Sequence, residues 1–125
     1  MTPANPATEG PVSAPVPPPF TFRGDAALCP VVTRALGRVI DPEMALNIVD
    51  LGLVHDVSVE GQAVSVALTL TSAACPVGEL IVDDATRALL AALGDGYAVS
   101  VSIVWDPPWT PARMSPKACV IMGWL

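Results

Sequence analysis

The chain has 125 residues, a formal net charge of −6, 52% hydrophobic residues and only 14% charged ones. That length supports one domain with a modest core, and the acidic balance without any Lys/Arg cluster argues against nucleic acid. No apolar run reaches the length of a membrane span, and the first twenty residues lack the basic start and apolar stretch of a secretory signal. Three cysteines without a leader do not suggest a disulfide scaffold, so a reducing cytoplasm is the expected compartment.

Residues 1 to about 22 are rich in Pro, Ala, Thr and Val and include Pro17-Pro18-Pro19. Such a segment has no period to bury, so 1–22 reads as a disordered or polyproline-like tail, either merely solvated or a docking arm, and 23–125 as the folded domain. Asp25 is an expected N-cap for a first helix running to about Ile40, with Leu28, Val32, Leu36, Val39 and Ile40 on its buried face. Pro30 is tolerated only near a helix start, which leaves Cys29-Pro30 as the alternative beginning. Asp41-Pro42-Glu43 ends that helix, because a residue preceding proline avoids the helical region. An irregular apolar connector, Asn47 to Leu53, follows, in which Gly52 between two leucines marks a tight turn or a close backbone contact.

A hairpin comes next. Leu53, Val57 and Val59 alternate with polar residues, Gly61-Gln62 turns the chain, and Val64 to Leu70 returns. His55, the one histidine, falls on the apolar side at the start of that alternation. The return strand runs into Thr69-Leu70-Thr71-Ser72-Ala73-Ala74-Cys75-Pro76, after which Val77, Leu80, Ile81, Ala85, Ala88, Leu89 and Ala92 recur at helical spacing. Proline favours the first helical position, so Cys75 is expected at or near the N-cap. There the unpartnered N–H groups of Val77, Gly78 and Glu79 and the positive end of the helix dipole stabilise a thiolate. The plainer reading of Cys75 is a small buried apolar side chain.

Gly94-Asp95-Gly96 turns the chain into a third strand marked by Tyr97, Val99, Val101, Ile103 and Trp105. Its opposite face carries Ala98, Ser100 and Ser102, matching Ser58, Ser65, Ala67 and Thr69 on the hairpin. One sheet face is therefore apolar and helix-covered, and the other small and mildly polar, suited to solvent or to a closely approaching partner. Trp105-Asp106-Pro107-Pro108-Trp109-Thr110-Pro111 fixes two rigid aromatics that either cover a site or close the core edge. Ser115-Pro116-Lys117 starts a short helix whose apolar face is supplied by Ala118, Val120, Ile121, Trp124 and Leu125, with Cys119 buried and inert. The fold expected is α+β, in the order helix, hairpin, helix, strand, short helix. It is a mixed three-stranded sheet with helices on one face, the third strand parallel to the second.

Four motifs occur in order: Asp41-Pro42-Glu43; Asn47-Ile48-Val49-Asp50-Leu51-Gly52-Leu53; Thr69-Leu70-Thr71-Ser72 with Cys75-Pro76; and Trp105 to Thr110 with Met114-Ser115. Together they resemble the SufT/PaaD-like family of iron–sulfur cluster maturation factors over roughly residues 26–124. The resemblance implies a small domain that helps assemble, carry or deliver clusters to client apoproteins, in contact with the assembly machinery. Its reactive cysteine matches Cys75, its polar motif residues match Asp50, Thr69 and Thr71, and its post-strand motif matches Asp106 and Trp109. PaaD-type members carry a cysteine-rich C-terminal extension, and the chain stops at Leu125 without one, which favours the SufT-like branch.

An iron–sulfur cluster normally takes four thiolates, whereas this chain offers Cys29, Cys75 and Cys119 at spacings unlike any compact four-cysteine site. Iron or a transient cluster shared through Cys75 between two chains of a homodimer, or between Cys75 and a client, is the arrangement that fits. Asp50, Asp106 or water would add oxygen ligands. Two other functions suit the same residues. One is a metal-free adaptor that binds clients through Trp109 and the small sheet face. The other is a cysteine-nucleophile enzyme with His55 as base, which requires His55 and Cys75 within hydrogen-bond reach.

Overall fold

Alternating valines and small residues build a four-stranded mixed sheet in the computed structural model, which describes residues 20–71 and 77–123. In chain order the elements are β1 (Thr21–Arg23), a 3₁₀ turn (Ala26–Leu28), α1 (Cys29–Leu36), β2 (Ile40–Asp41) and β3 (Leu46–Asn47). They continue with β4 (Val54–Glu60), β5 (Ala63–Leu68), α2 (Gly78–Leu93), β6 (Ala98–Ile103), a 3₁₀ turn (Pro111–Arg113) and α3 (Pro116–Ile121). The sheet order is β1-β4-β5-β6, while β2 and β3 form a separate two-stranded ribbon.

The β4–β5 hairpin is antiparallel and turns at Gly61, whose φ of 62° suits glycine. The crossover through α2 returns β6 parallel to β5, with Val64 opposite Val99 and Leu68 opposite Ile103. Val57, Val59, Val64, Val66 and Leu68 form the buried face, in one core with Val32, Ala35 and Leu36 of α1 and Ile81, Ala85 and Leu89 of α2. Each of these Val, Leu and Ile side chains contributes about 1.5–3 kcal/mol by leaving water. The other face presents Ser58, Ser65, Ala67, Ser100 and Ser102 at partial or full exposure. Helices thus cover one face, as the alternation predicts.

The sheet has one strand more than expected. β1 lies parallel to β4, Phe22 opposite Val57, and Phe20 just before it is buried. The ordered domain therefore begins at least by Phe20, inside the segment read as tail; most of that segment, 1–19, lies outside the described residues. A three-residue strand is too short to show a period, and its place is fixed by pairing with residues 35 positions away (Thr21 with Asp56).

The first helix is shorter than its apolar spacing suggests. Asp25 caps the 3₁₀ turn, accepting from the Ala27 N–H at 2.9 Å, and α1 starts at the alternative Cys29-Pro30. It ends at Leu36, before Gly37, and Ile40 is 48% exposed in β2 rather than on a buried helical face. The Asp41 carboxylate, fully buried, then accepts from the N–H groups of Glu43 (2.8 Å) and Met44 (3.3 Å) to shape the β2–β3 turn.

Two further boundaries move. The N-cap of α2 falls on Val77, two residues after Cys75, and the helix begins at Gly78 rather than at Pro76; Cys75 and Pro76 lie outside the described residues. β6 ends at Ile103, and Trp105, expected to face the core, is 52% exposed. Ser115 caps α3 as expected, its Oγ accepting from the Ala118 N–H at 3.1 Å. However, the inward side of α3 is Ala118, Cys119 and Met122, while Val120 and Ile121 face solvent; Trp124 and Leu125 lie outside the described residues.

Candidate functional site

Because β5 and β6 are parallel and β4 is antiparallel to β5, three chain segments meet at one edge of the sheet. They are the exit of β5 (Thr69, Leu70, Thr71), the exit of β6 (Val104 onward) and the entry to β4 (Asn47–Leu53). Carboxyl edges of parallel strands are where sheets of this kind present their sites. The ladder continues past the strands, with the Thr69 N–H donating to the Leu53 carbonyl and the Val104 N–H to the Leu68 carbonyl, both at 2.7 Å.

From β6 the chain runs as a strap across the end of β5 and is fastened to the entry of β4. His55 Nε2 lies 3.0 Å from the Pro107 carbonyl, and the Trp109 Nε1–H donates to the Leu51 carbonyl at 2.6 Å. Arg113 donates from Nε to the Gly52 carbonyl (2.8 Å) and from Nη2 to the Val54 carbonyl (3.3 Å). The Ser115 N–H donates to the Asp50 carbonyl at 2.7 Å. Gly52 makes this closeness possible. Its φ is +79°, and a Cβ there would collide with the Arg113 carbonyl oxygen and lie 2.6 Å from the Arg113 Cβ. Both readings of Gly52, turn and close contact, hold at once.

His55 departs from the expected alternation. Val54 pairs with Leu68 and Asp56 with Ala67, so His55 is the extra residue of a β-bulge. The bulge puts Val54 into the core and turns His55 to the half-exposed rim, not the apolar side. Since a carbonyl only accepts, Nε2 carries the hydrogen, and in the neutral ring Nδ1 is the remaining acceptor.

The motif residues sit on this frame in distinct ways. Asp50 is half-buried: its Oδ2 accepts from the Asn47 side-chain amide at 2.7 Å, and its N–H donates to Asn47 Oδ1 at 2.8 Å. That clasp orients the carboxylate. Thr69 is 1% exposed, and its Oγ1 has no hydrogen-bond partner among the described residues. A buried hydroxyl left unpaired costs about 1–3 kcal/mol, an expense at the edge from which the Cys75 segment departs. Thr71 is half-buried, and Asp106 is exposed on the strap. Trp109 is half-buried against the core, so the two tryptophans divide the readings: Trp109 closes the core edge and Trp105 faces outward.

The structure thus brings Asp50, Thr69 and Trp109 onto one hydrogen-bonded frame and sets Asp106 beside it. Cys75 lies outside the described residues. Among the described residues no three His, Cys, Asp or Glu side chains gather into a metal-binding group. Cys29, 4.0 Å from the Thr33 hydroxyl, and Cys119, packed against the core, are both half-buried free thiols. Arg113 and Asn47 do more here than sequence reasoning assigned them. Asn47 had a signal, standing three residues before an Asp it can clasp, whereas donation by Arg113 to backbone carbonyls leaves none.

Residues 31–103 match the family model described as "Iron-sulfur cluster assembly protein". The chain is 41% identical over 100 residues to the Fe-S protein maturation auxiliary factor YitW of Bacillus subtilis, covering 79% of this chain and 97% of that one. It is 44% identical over 86 residues to the Fe-S protein maturation auxiliary factor SufT of Staphylococcus aureus, covering 68% and 97%. The crystal structure of a DUF59 domain from Bacillus anthracis superposes with a TM-score of 0.74 at 36% identity, covering 78% of this chain and 92% of that one. A family match over more than half the chain, relatives matched over nearly their whole length and a shared fold agree: the chain belongs to the iron–sulfur cluster assembly protein family, and within it to the SufT-like members.

Proposed function

We propose that this protein is an accessory factor in iron–sulfur cluster assembly that carries iron or a cluster to client apoproteins, with Cys75 as the thiolate that holds the cargo. The observation that carries the reading is the convergence at the carboxyl edge. The segment bearing Cys75 follows the exit of β5, where the buried Thr69 hydroxyl has no hydrogen-bond partner among the described residues, and Asp106 follows the exit of the parallel β6. One thiolate supplies one of the four ligands a cluster takes. The rest come from a second copy of the chain or from the client, with the Asp50 or Asp106 carboxylate or water as oxygen donors. Such partial ligation suits delivery, because each client thiolate that binds iron displaces one weak ligand and no redox change is needed. The role is non-enzymatic and its setting the reducing cytoplasm, which keeps Cys75 out of disulfides and free to bind iron.

The exposed Trp105 and the serine-rich outer sheet face favour a second reading, a metal-free adaptor that docks clients through them. Anaerobic reconstitution with iron and sulfide separates the two. The carrier reading expects wild type and the Cys29→Ser and Cys119→Ser variants to take up iron and pass it to an apo-ferredoxin, and Cys75→Ser to lose both. No uptake by wild type, or equal uptake by Cys75→Ser, refutes the carrier reading. Client binding lost on Trp105→Ala under those conditions establishes the adaptor.

A further inference from the structure

A second surface lies on the helical side of the molecule. Between α1 and α2 runs an open groove of about 390 Å³, lined by Val31, Arg34, Ala35 and Arg38 on one side and by Ala88, Ala91 and Ala92 on the other. The cleft exists because α2 presents alanine where a larger side chain would fill the space. Ala88 to Ala92 lie ten or more residues along α2 from Gly78, about 15 Å at the helical rise. The groove is therefore well separated from the carboxyl edge.

Its charge is opposite to that of the molecule. The chain carries six basic residues against twelve acidic ones. Arg23 pairs with Asp56 at 3.4 Å, Arg87 lies 3.8 Å from Asp84, and Arg113 is held by backbone carbonyls. Arg34 and Arg38, both exposed, make no hydrogen bond or ion pair among the described residues, although carboxylates outnumber cations two to one. They stand four residues apart, Gly37 between them keeping right-handed helical angles (φ −67°, ψ −10°). Two guanidinium groups one turn apart beside an apolar floor form a pattern with a definite complement. Carboxylates at i and i+4 of a helix have Cβ atoms about 6 Å apart, and an apolar side chain on the same face would fill the alanine cleft.

We infer that the α1–α2 groove docks an acidic amphipathic helix of a partner protein, with Arg34 and Arg38 taking two of its carboxylates and Ala88, Ala91 and Ala92 receiving an apolar side chain. A small dicarboxylate satisfies the arginines but leaves the apolar lining bare, so the helix is the better complement. The inference does not depend on cargo at Cys75.

The test is an amide-resolved NMR titration of the full chain with an alanine-based helical peptide bearing one Leu and two Glu four residues apart. Its Gln counterpart and glutarate serve as the other probes. The Glu peptide is expected to shift the amides of Val31–Arg38 and Ala88–Ala92 saturably and to bind more weakly as salt rises. The double variant Arg34→Gln/Arg38→Gln should bind at least tenfold more weakly. Ala91→Leu should block the groove while circular dichroism and Tm stay unchanged. The inference is overturned if millimolar Glu peptide moves none of these amides, or if the Gln peptide or the double variant binds equally well. Glutarate saturating the same amides as tightly as the peptide would also overturn it, making the groove a small-anion site.

Discussion

Gly52→Ala should loosen the strap from the sheet, and its cost can be worked from the structure. Alanine at φ +79° is in the left-handed region, which costs about 1–2 kcal/mol in an L-residue. The added Cβ also meets the Arg113 backbone, so the strap must retreat. Retreat breaks the bonds from Arg113 to the Gly52 and Val54 carbonyls (2.8 and 3.3 Å), and a hydrogen bond with a charged donor contributes about 1.5–3 kcal/mol. Counting the shorter bond fully and the longer one little, the loss is about 3–5 kcal/mol. At about 4–8 °C per kcal/mol for a domain of this size, Tm falls by roughly 12–40 °C. Urea and thermal unfolding by circular dichroism measure the loss. Loss of hydrogen-exchange protection at the Trp109 indole N–H reports whether the strap has left Leu51. Arg113→Met, which removes the two bonds without the collision, should cost about 1.5–3 kcal/mol. Arg113→Gly would remove the Cβ contact but not the closer collision with the Arg113 carbonyl, so it should not rescue Gly52→Ala. A Gly52→Ala protein within about 1 kcal/mol of wild type, or rescue by Arg113→Gly, would refute the reasoning.

Trp109→Phe keeps an aromatic ring, though a smaller one, but leaves the Leu51 carbonyl without its indole donor, for about 1–2 kcal/mol by urea unfolding; an unchanged midpoint would show that water replaces the bond freely. Phe20→Ala should cost about 3–5 kcal/mol, as for a core aromatic, whereas a residue of a solvated tail would cost nothing. On the proposed carrier reading, in which Asp106 neighbours Cys75, Asp106→Asn should speed alkylation of Cys75 in metal-free protein, because a carboxylate beside a thiol opposes the thiolate, and should weaken iron retention after reconstitution. Unchanged rates and unchanged iron in that variant would reduce Asp106 to a structural part of the strap.

What the chain's own pattern determines is the part of the fold with a period. Alternation from Val54 to Glu60 and Ala63 to Leu68, a turn at Gly61 and helical spacing through Leu93 dictate the hairpin, the crossover and the parallel return of β6. Apolar residues on one side and serines on the other then fix which face the helices cover. The four ordered motifs also mark the family, since side-chain identities at set spacings are a local property. Features fixed by partners distant in sequence are not legible this way. β1 exists because β4 offers it an edge, and Phe20 is buried only through that pairing. His55 leaves the core because a bulge adds one residue to β4, and a single added residue reverses the facing of all that precede it. Trp105 and Trp109 are chemically alike, yet one is exposed and the other is held by the Leu51 carbonyl. The difference arises because the strap must reach from β6 to the entry of β4 across the end of β5. The glycine at position 52 announces a close contact; that the contact is Arg113, 61 residues later, is decided only when the sheet has brought both ends together.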